Sequence, residues 1–100
     1  MKTEQTIENP EDLTIQQISD NFKKYLGIVS KKQKIKNVHV ELNNNDKTIQ
    51  FSCNDESKRP IYGLIKLDSE KGTCFYDITY PNNENVNEVT SCILNALKIA

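Results

Sequence analysis

Tryptophan is absent from this chain of 100 residues, histidine occurs once, and glycine, proline and cysteine occur three times each. Each scarcity excludes something. Glycine stands only at positions 27, 63 and 72, so no glycine-rich loop is present to cradle a phosphate. Cys53, Cys74 and Cys92 are far apart and form neither a CxxC nor a CxH pair, and with the single His39 they lack the ligand spacing of a structural zinc site. An odd, scattered set of cysteines reads as buried thiols in a reducing compartment. No apolar run approaches the roughly 18 residues of a membrane-spanning helix, and the opening MKTEQTIENPEDL has no apolar stretch like that of a secretory signal. The net charge of −1 gives no overall field toward nucleic acid or an anionic membrane. The expectation is an intracellular chain without membrane association, metal or cofactor.

What is present is a patterned sequence of single-domain length. Residues 1–12 are polar apart from Ile7 and are punctuated by Asn9-Pro10, which reads as a flexible lead-in to one globular domain over residues 13–100. From Leu13, apolar residues recur at helical spacing through Ile15, Ile18, Phe22 and Tyr25. Either Asn9, with Pro10 at the first helical position, or Thr14, paired with Gln17 in a capping box, can start this helix, and Gly27 suits its end. From Lys34 the period changes to two: Lys36, Val38, Val40 and Leu42 take one face, Asn37, His39 and Glu41 the other. Asn43-Asn44-Asn45-Asp46 is a hairpin turn, after which Ile49, Phe51 and Cys53 point inward on the next strand.

A charged loop from Asn54 to Pro60 leads to Ile61–Leu67, apolar along most of its length and therefore a central strand. Asp68–Gly72 turns the chain into a fourth strand, Thr73–Tyr80, which Pro81 ends. Asn85 and Glu88 make a capping box for a second helix with an apolar stripe of Val86, Val89, Ile93, Ala96, Leu97 and Ala100. The fold class this predicts is α+β: helix, four-stranded antiparallel sheet, helix, with both helices on one face of the sheet, since neither helix buries its stripe alone.

Catalysis requires a nucleophile, base or metal within reach of an orienting partner. His39 sits on the polar face of a strand and the carboxylates are scattered through polar stretches, so the sequence points away from an enzyme. Two other groups stand out. Lys23, Lys24, Lys31, Lys32, Lys34 and Lys36 cluster around the end of the first helix, where the helix dipole favours cations and where an acidic partner or a phosphate could be met. No arginine accompanies them and Tyr25 is the single aromatic between positions 23 and 36, which disfavours sequence-specific or stacking modes of nucleic-acid binding. Tyr62 and Phe75 fall on the strand faces opposite Ile61 and Tyr76, leaving aromatic surface for another chain to cover. Candidate partner-binding residues are therefore Tyr62, Phe75, Lys31, Lys32, Lys34 and Lys36.

The string Phe22-Lys23-Lys24-Tyr25-Leu26-Gly27-Ile28, followed by Val38-His39-Val40-Glu41-Leu42, Ile49-Gln50-Phe51-Ser52 and Tyr76-Asp77-Ile78-Thr79-Tyr80-Pro81, resembles the RWD-like heads of kinetochore subunits, the Spc twenty-five type of the Ndc complex in particular. The likeness runs over about residues 15 to 100. It implies a nuclear adaptor in chromosome segregation and cell division: a head that forms a heterodimer with a sister subunit and docks segments of other proteins. The alternative reading is a small nucleic-acid-binding domain that uses the lysines between positions 23 and 36.

Overall fold

A computed structural model of the chain describes residues 1–81 and 86–99. The elements run β1 (Lys2–Glu8), α1 (Ile15–Lys31), β2 (Lys36–Asn43), β3 (Thr48–Asn54), β4 (Pro60–Asp68), β5 (Thr73–Thr79) and α2 (Val86–Ala96). The fold is α+β, with one antiparallel sheet in the order β1-β5-β4-β3-β2. The described residues form five strands, not four. The added strand is β1, so residues 2–8 are not a flexible lead-in but lie along β5 from Lys2↔Thr79 to Glu8↔Thr73. An edge strand can be held by its ladder bonds with little apolar signal in its own sequence, and Ile7 is the only aliphatic residue β1 contributes to the core.

The corner between β1 and α1 is closed by Asn9, a buried side chain that donates to the Leu13 carbonyl (2.9 Å) and accepts from the Leu13 N–H (3.1 Å). The helix cap is Thr14: its hydroxyl accepts from the Gln17 N–H at 3.1 Å, and Gln17 Oε1 accepts from the Thr14 N–H at 2.9 Å. Gly27 does not end the helix. Burial of Leu26 and Val29, in line with Ile15, Ile18 and Phe22, outweighs the roughly 1 kcal/mol penalty of an interior glycine, and α1 continues to Lys31. The turn out of it is made by Gln33 at φ 62°, and Ile35 is then fully buried.

β4 is central, flanked by β3 and β5. The β3–β4 loop folds around Asp55, which is 1% exposed and accepts hydrogen bonds from the backbone N–H groups of Ser57 (2.8 Å) and Arg59 (2.9 Å) and from Arg59 Nε (3.1 Å). The Asn43–Asp46 turn is closed by the Asp46 N–H donating to Asn43 Oδ1 at 3.1 Å. In α2, Val86, Val89, Cys92, Ile93 and Ala96 are buried; Asn85, the expected cap, and Ala100 lie outside the described residues.

Buried residues of both helices and of alternate strand positions form one cluster. Within it the Phe22 and Phe51 rings meet edge to face, 5.1 Å apart at 72°. Gly63 makes room for this contact, because a Cβ there would overlap the Asp77 carbonyl oxygen and lie 2.7 Å from Cζ of Phe51. The three cysteines are free and buried, and burial pushes the thiols of Cys53 and Cys92 up to about 11 and that of Cys74 to about 12.

Candidate interaction face

Successive strand residues point to opposite sides of a sheet. One side carries Ile49, Phe51, Cys53, Ile61, Ile65, Leu67, Cys74, Tyr76 and Ile78, all buried. The alternate positions form the other side, where side chains are exposed or half-buried. Because opposed residues in a ladder share a face, the pairing lays this open side out in rows. One row runs Lys2, Thr79, Tyr62, Ser52, His39; the next runs Glu4, Asp77, Leu64, Gln50, Glu41; the third runs Thr6, Phe75, Lys66, Thr48, Asn43.

Tyr62 is 51% exposed, and Leu64 and Phe75 are half-buried. The three make an apolar diagonal across β4 and β5. A shallow depression of about 500 Å³ opens over the Tyr62 and Leu64 rows, and another of about 550 Å³ lies at the Phe75 end, between Lys47, Lys66 and Lys71. The middle row is acidic, with Glu4, Asp77 and Glu41 around Leu64 and no cation in line. Lys2, in the neighbouring row, holds Glu4 at 3.1 Å, and this hydrogen bond, then the charges of Glu4 and Asp77, raise its pKa above the ordinary lysine value.

Tyr62 and Phe75 thus share the open face, as their phase implied, but stand two rows apart with Leu64 between them. Lys31, Lys32 and Lys34 are exposed around the turn after α1, and none of them lines the two depressions over the apolar diagonal. Lys36 differs from its expected position. The β2 ladder slips between Lys36 and His39, and Asn37 takes φ 55°, so Lys36 comes opposite Asn54 and shares the open side, not the side of Val38 and Val40. It marks the Tyr62 end of the face. His39 is exposed opposite Ser52 on the same face. Leu64 and Asp77 were not singled out from sequence; the signal for Leu64 is its place out of phase with Ile61, Ile65 and Leu67 inside one apolar run.

No known protein-family model, no curated protein and no solved structure matches this chain.

Proposed function

We propose that the chain is a non-catalytic protein-binding domain whose open sheet face receives a partner segment bearing apolar and basic side chains. The exposed ring of Tyr62, continuous with Leu64 and Phe75, is the observation that carries this reading. Exposed aromatic rings, tyrosine above all, are the kind of group that dominates interface energetics. With Glu4 already paired to Lys2, the carboxylates Glu41 and Asp77 beside Leu64 select lysine or arginine on the incoming chain and disfavour a polyanion on the same surface.

In its family-level form the proposal is an RWD-like head, with both helices packed on the side of the sheet away from this face and a sister subunit as partner in a nuclear, kinetochore-type assembly. The likeness of residues 15–100 to such heads supports it; β1 is an addition to the helix–sheet–helix plan. Affinity capture from the native cells with the wild-type chain and with Tyr62→Ala in parallel tests the proposal. The expected result is a partner chain recovered in stoichiometric amount by the wild type and lost, or reduced about tenfold or more, with Tyr62→Ala at unchanged thermal stability. Equal recovery by the two chains refutes it.

A second reading concerns Lys31, Lys32 and Lys34, exposed beside the α1 C-terminus and in no ion pair among the described residues. These lysines can meet phosphates of a nucleic acid as point charges. A retardation assay decides: binding whose logarithm falls linearly with the logarithm of salt concentration supports this reading, and no shift at low salt removes it.

A further inference from the structure

The sheet has two outer edges, and they are not alike. Along β2 the ladder slips between Lys36 and His39, and the resulting bulge bends the edge out of register for another strand. Along β1 the ladder to β5 runs without a slip. At its two ends the Tyr80 N–H donates to the Met1 carbonyl and the Asn9 N–H to the Gly72 carbonyl, each at 2.9 Å. Hydrogen-bonded pairs alternate along an antiparallel ladder. Thr3, Gln5 and Ile7 therefore turn their backbone groups toward β5, while Lys2, Glu4, Thr6 and Glu8 turn theirs outward, where no described strand meets them.

We propose that this edge pairs antiparallel with β1 of a second copy of the chain, giving a two-fold dimer with one continuous sheet. The sequence of β1, Lys-Thr-Glu-Gln-Thr-Ile-Glu, is complementary to itself over its full length in one register. With the two-fold axis through Gln5, Lys2 stands opposite Glu8 of the second copy and Glu4 opposite Thr6 of the second copy. All four are outward-facing residues, so the backbone bonds form in phase, and the ladder uses the whole of β1. Moving the axis to Glu4 sets Glu4 against itself, and moving it to Thr6 sets Glu4 against Glu8. Like charges directly opposite are destabilising, and an axis through Thr3 pairs Lys2 with Glu4 but shortens the ladder, so charge and length together select the Gln5 register. On the other side of the strand Ile7, half-buried at the margin of the core, comes opposite Thr3 of the second copy and loses exposure. The pairing runs along the outer edge of β1 and leaves Tyr62, Leu64 and Phe75, on β4 and β5, uncovered.

Sedimentation equilibrium of the purified chain over a wide concentration range tests it, with circular dichroism confirming that each variant is folded. The expected mass at high concentration is twice the 11.5 kDa of one chain. Lys2→Glu or Glu8→Lys alone places like charges opposite each other at both symmetry-related positions and raises the dimer Kd by about tenfold or more. The double variant Lys2→Glu with Glu8→Lys restores the pairing and returns Kd to near the wild-type value. Thr6→Pro removes an outward N–H, spares the ladder to β5 and abolishes the dimer. A monomer at every concentration overturns the proposal. So does a dimer indifferent to Thr6→Pro, or one weakened by either single reversal and not restored by the double.

Discussion

Replacing Gly63 by alanine adds one carbon at the centre of β4, and its consequence follows from two neighbours that cannot both move. The new Cβ overlaps the Asp77 carbonyl oxygen, part of the β5 backbone, and comes within 2.7 Å of the Phe51 ring. Overpacking a core by a methyl group costs about 1–3 kcal/mol when side chains can adjust. Here β5 is tied to β4 on one side and β1 on the other, and Phe51 is held edge-on by the fully buried Phe22, so the upper end of that range, about 3 kcal/mol, is expected. For a domain of this size that lowers Tm by roughly 12–24 °C. Thermal and urea unfolding followed by circular dichroism reads the effect. A companion variant sharpens it: Phe51→Ala relieves the ring contact but not the clash with the β5 backbone, so the double variant Gly63→Ala, Phe51→Ala stays less stable than Phe51→Ala alone. A Gly63→Ala protein that melts within about 3 °C of wild type, or a double variant as stable as Phe51→Ala, refutes the close approach of β5 to Gly63.

Removing the Asp55 side chain strips the β3–β4 loop of three hydrogen-bond acceptances. Because Arg59 is partly exposed and can be re-solvated, Asp55→Ala is expected to cost about 2–4 kcal/mol in denaturant unfolding, with Asp55→Asn costing less. Ser19 has the opposite sign: its hydroxyl is buried on α1 without a partner among the described residues, so Ser19→Ala is expected to raise stability by about 0.5–1.5 kcal/mol in the same assay. The thiols of Cys53, Cys74 and Cys92 are expected to react with a thiol reagent at pH 8 only as fast as the protein opens, whereas the denatured chain is labelled at once. Burial holds these groups protonated to about pH 11–12, against 9.0 for a free thiol. Above pH 9 the unfolded chain therefore sheds protons that the folded chain keeps, and stability falls as pH rises from about 9 toward 11, measurable as a declining urea midpoint.

The strands β2, β3 and β5 were legible because each alternates, and β4 was legible as central because its apolar residues run together. The start of α1 was narrowed to Asn9 or Thr14, and the capping box of Thr14 and Gln17 makes the cap while Asn9 turns the preceding corner. Three features were hidden for physical reasons. β1 is held by its ladder to β5, so Lys2–Glu8 offers the apolar-periodicity criterion almost nothing. Gly27 has the chemistry of a helix end but lies in a helix whose burial continues past it, a case of packing overriding local propensity. Lys36 changes face because of a bulge at Asn37, and a period-two reading assumes that no residue is inserted. Of the candidate site, the phase of Tyr62 and Phe75 placed them on the open side. Their separation, and the acidic row around Leu64 between them, come from cross-strand register, which depends on which residues face each other across three turns.

The central claim is that the open face, through Tyr62, Leu64 and Phe75, is the binding surface. Its most direct measurement is selection of binding peptides from a random library on the wild-type chain, followed by titration of the selected peptides against Leu64→Lys, a substitution on the side of β4 away from the core that removes the apolar contact and opposes basic side chains. The account predicts peptides rich in apolar and basic residues whose affinity falls at least tenfold on Leu64→Lys, with the fold intact by circular dichroism. Peptides that bind Leu64→Lys as tightly as wild type, or that are predominantly acidic and sensitive instead to Lys31→Glu and Lys34→Glu, contradict it and move the binding surface to the turn after α1.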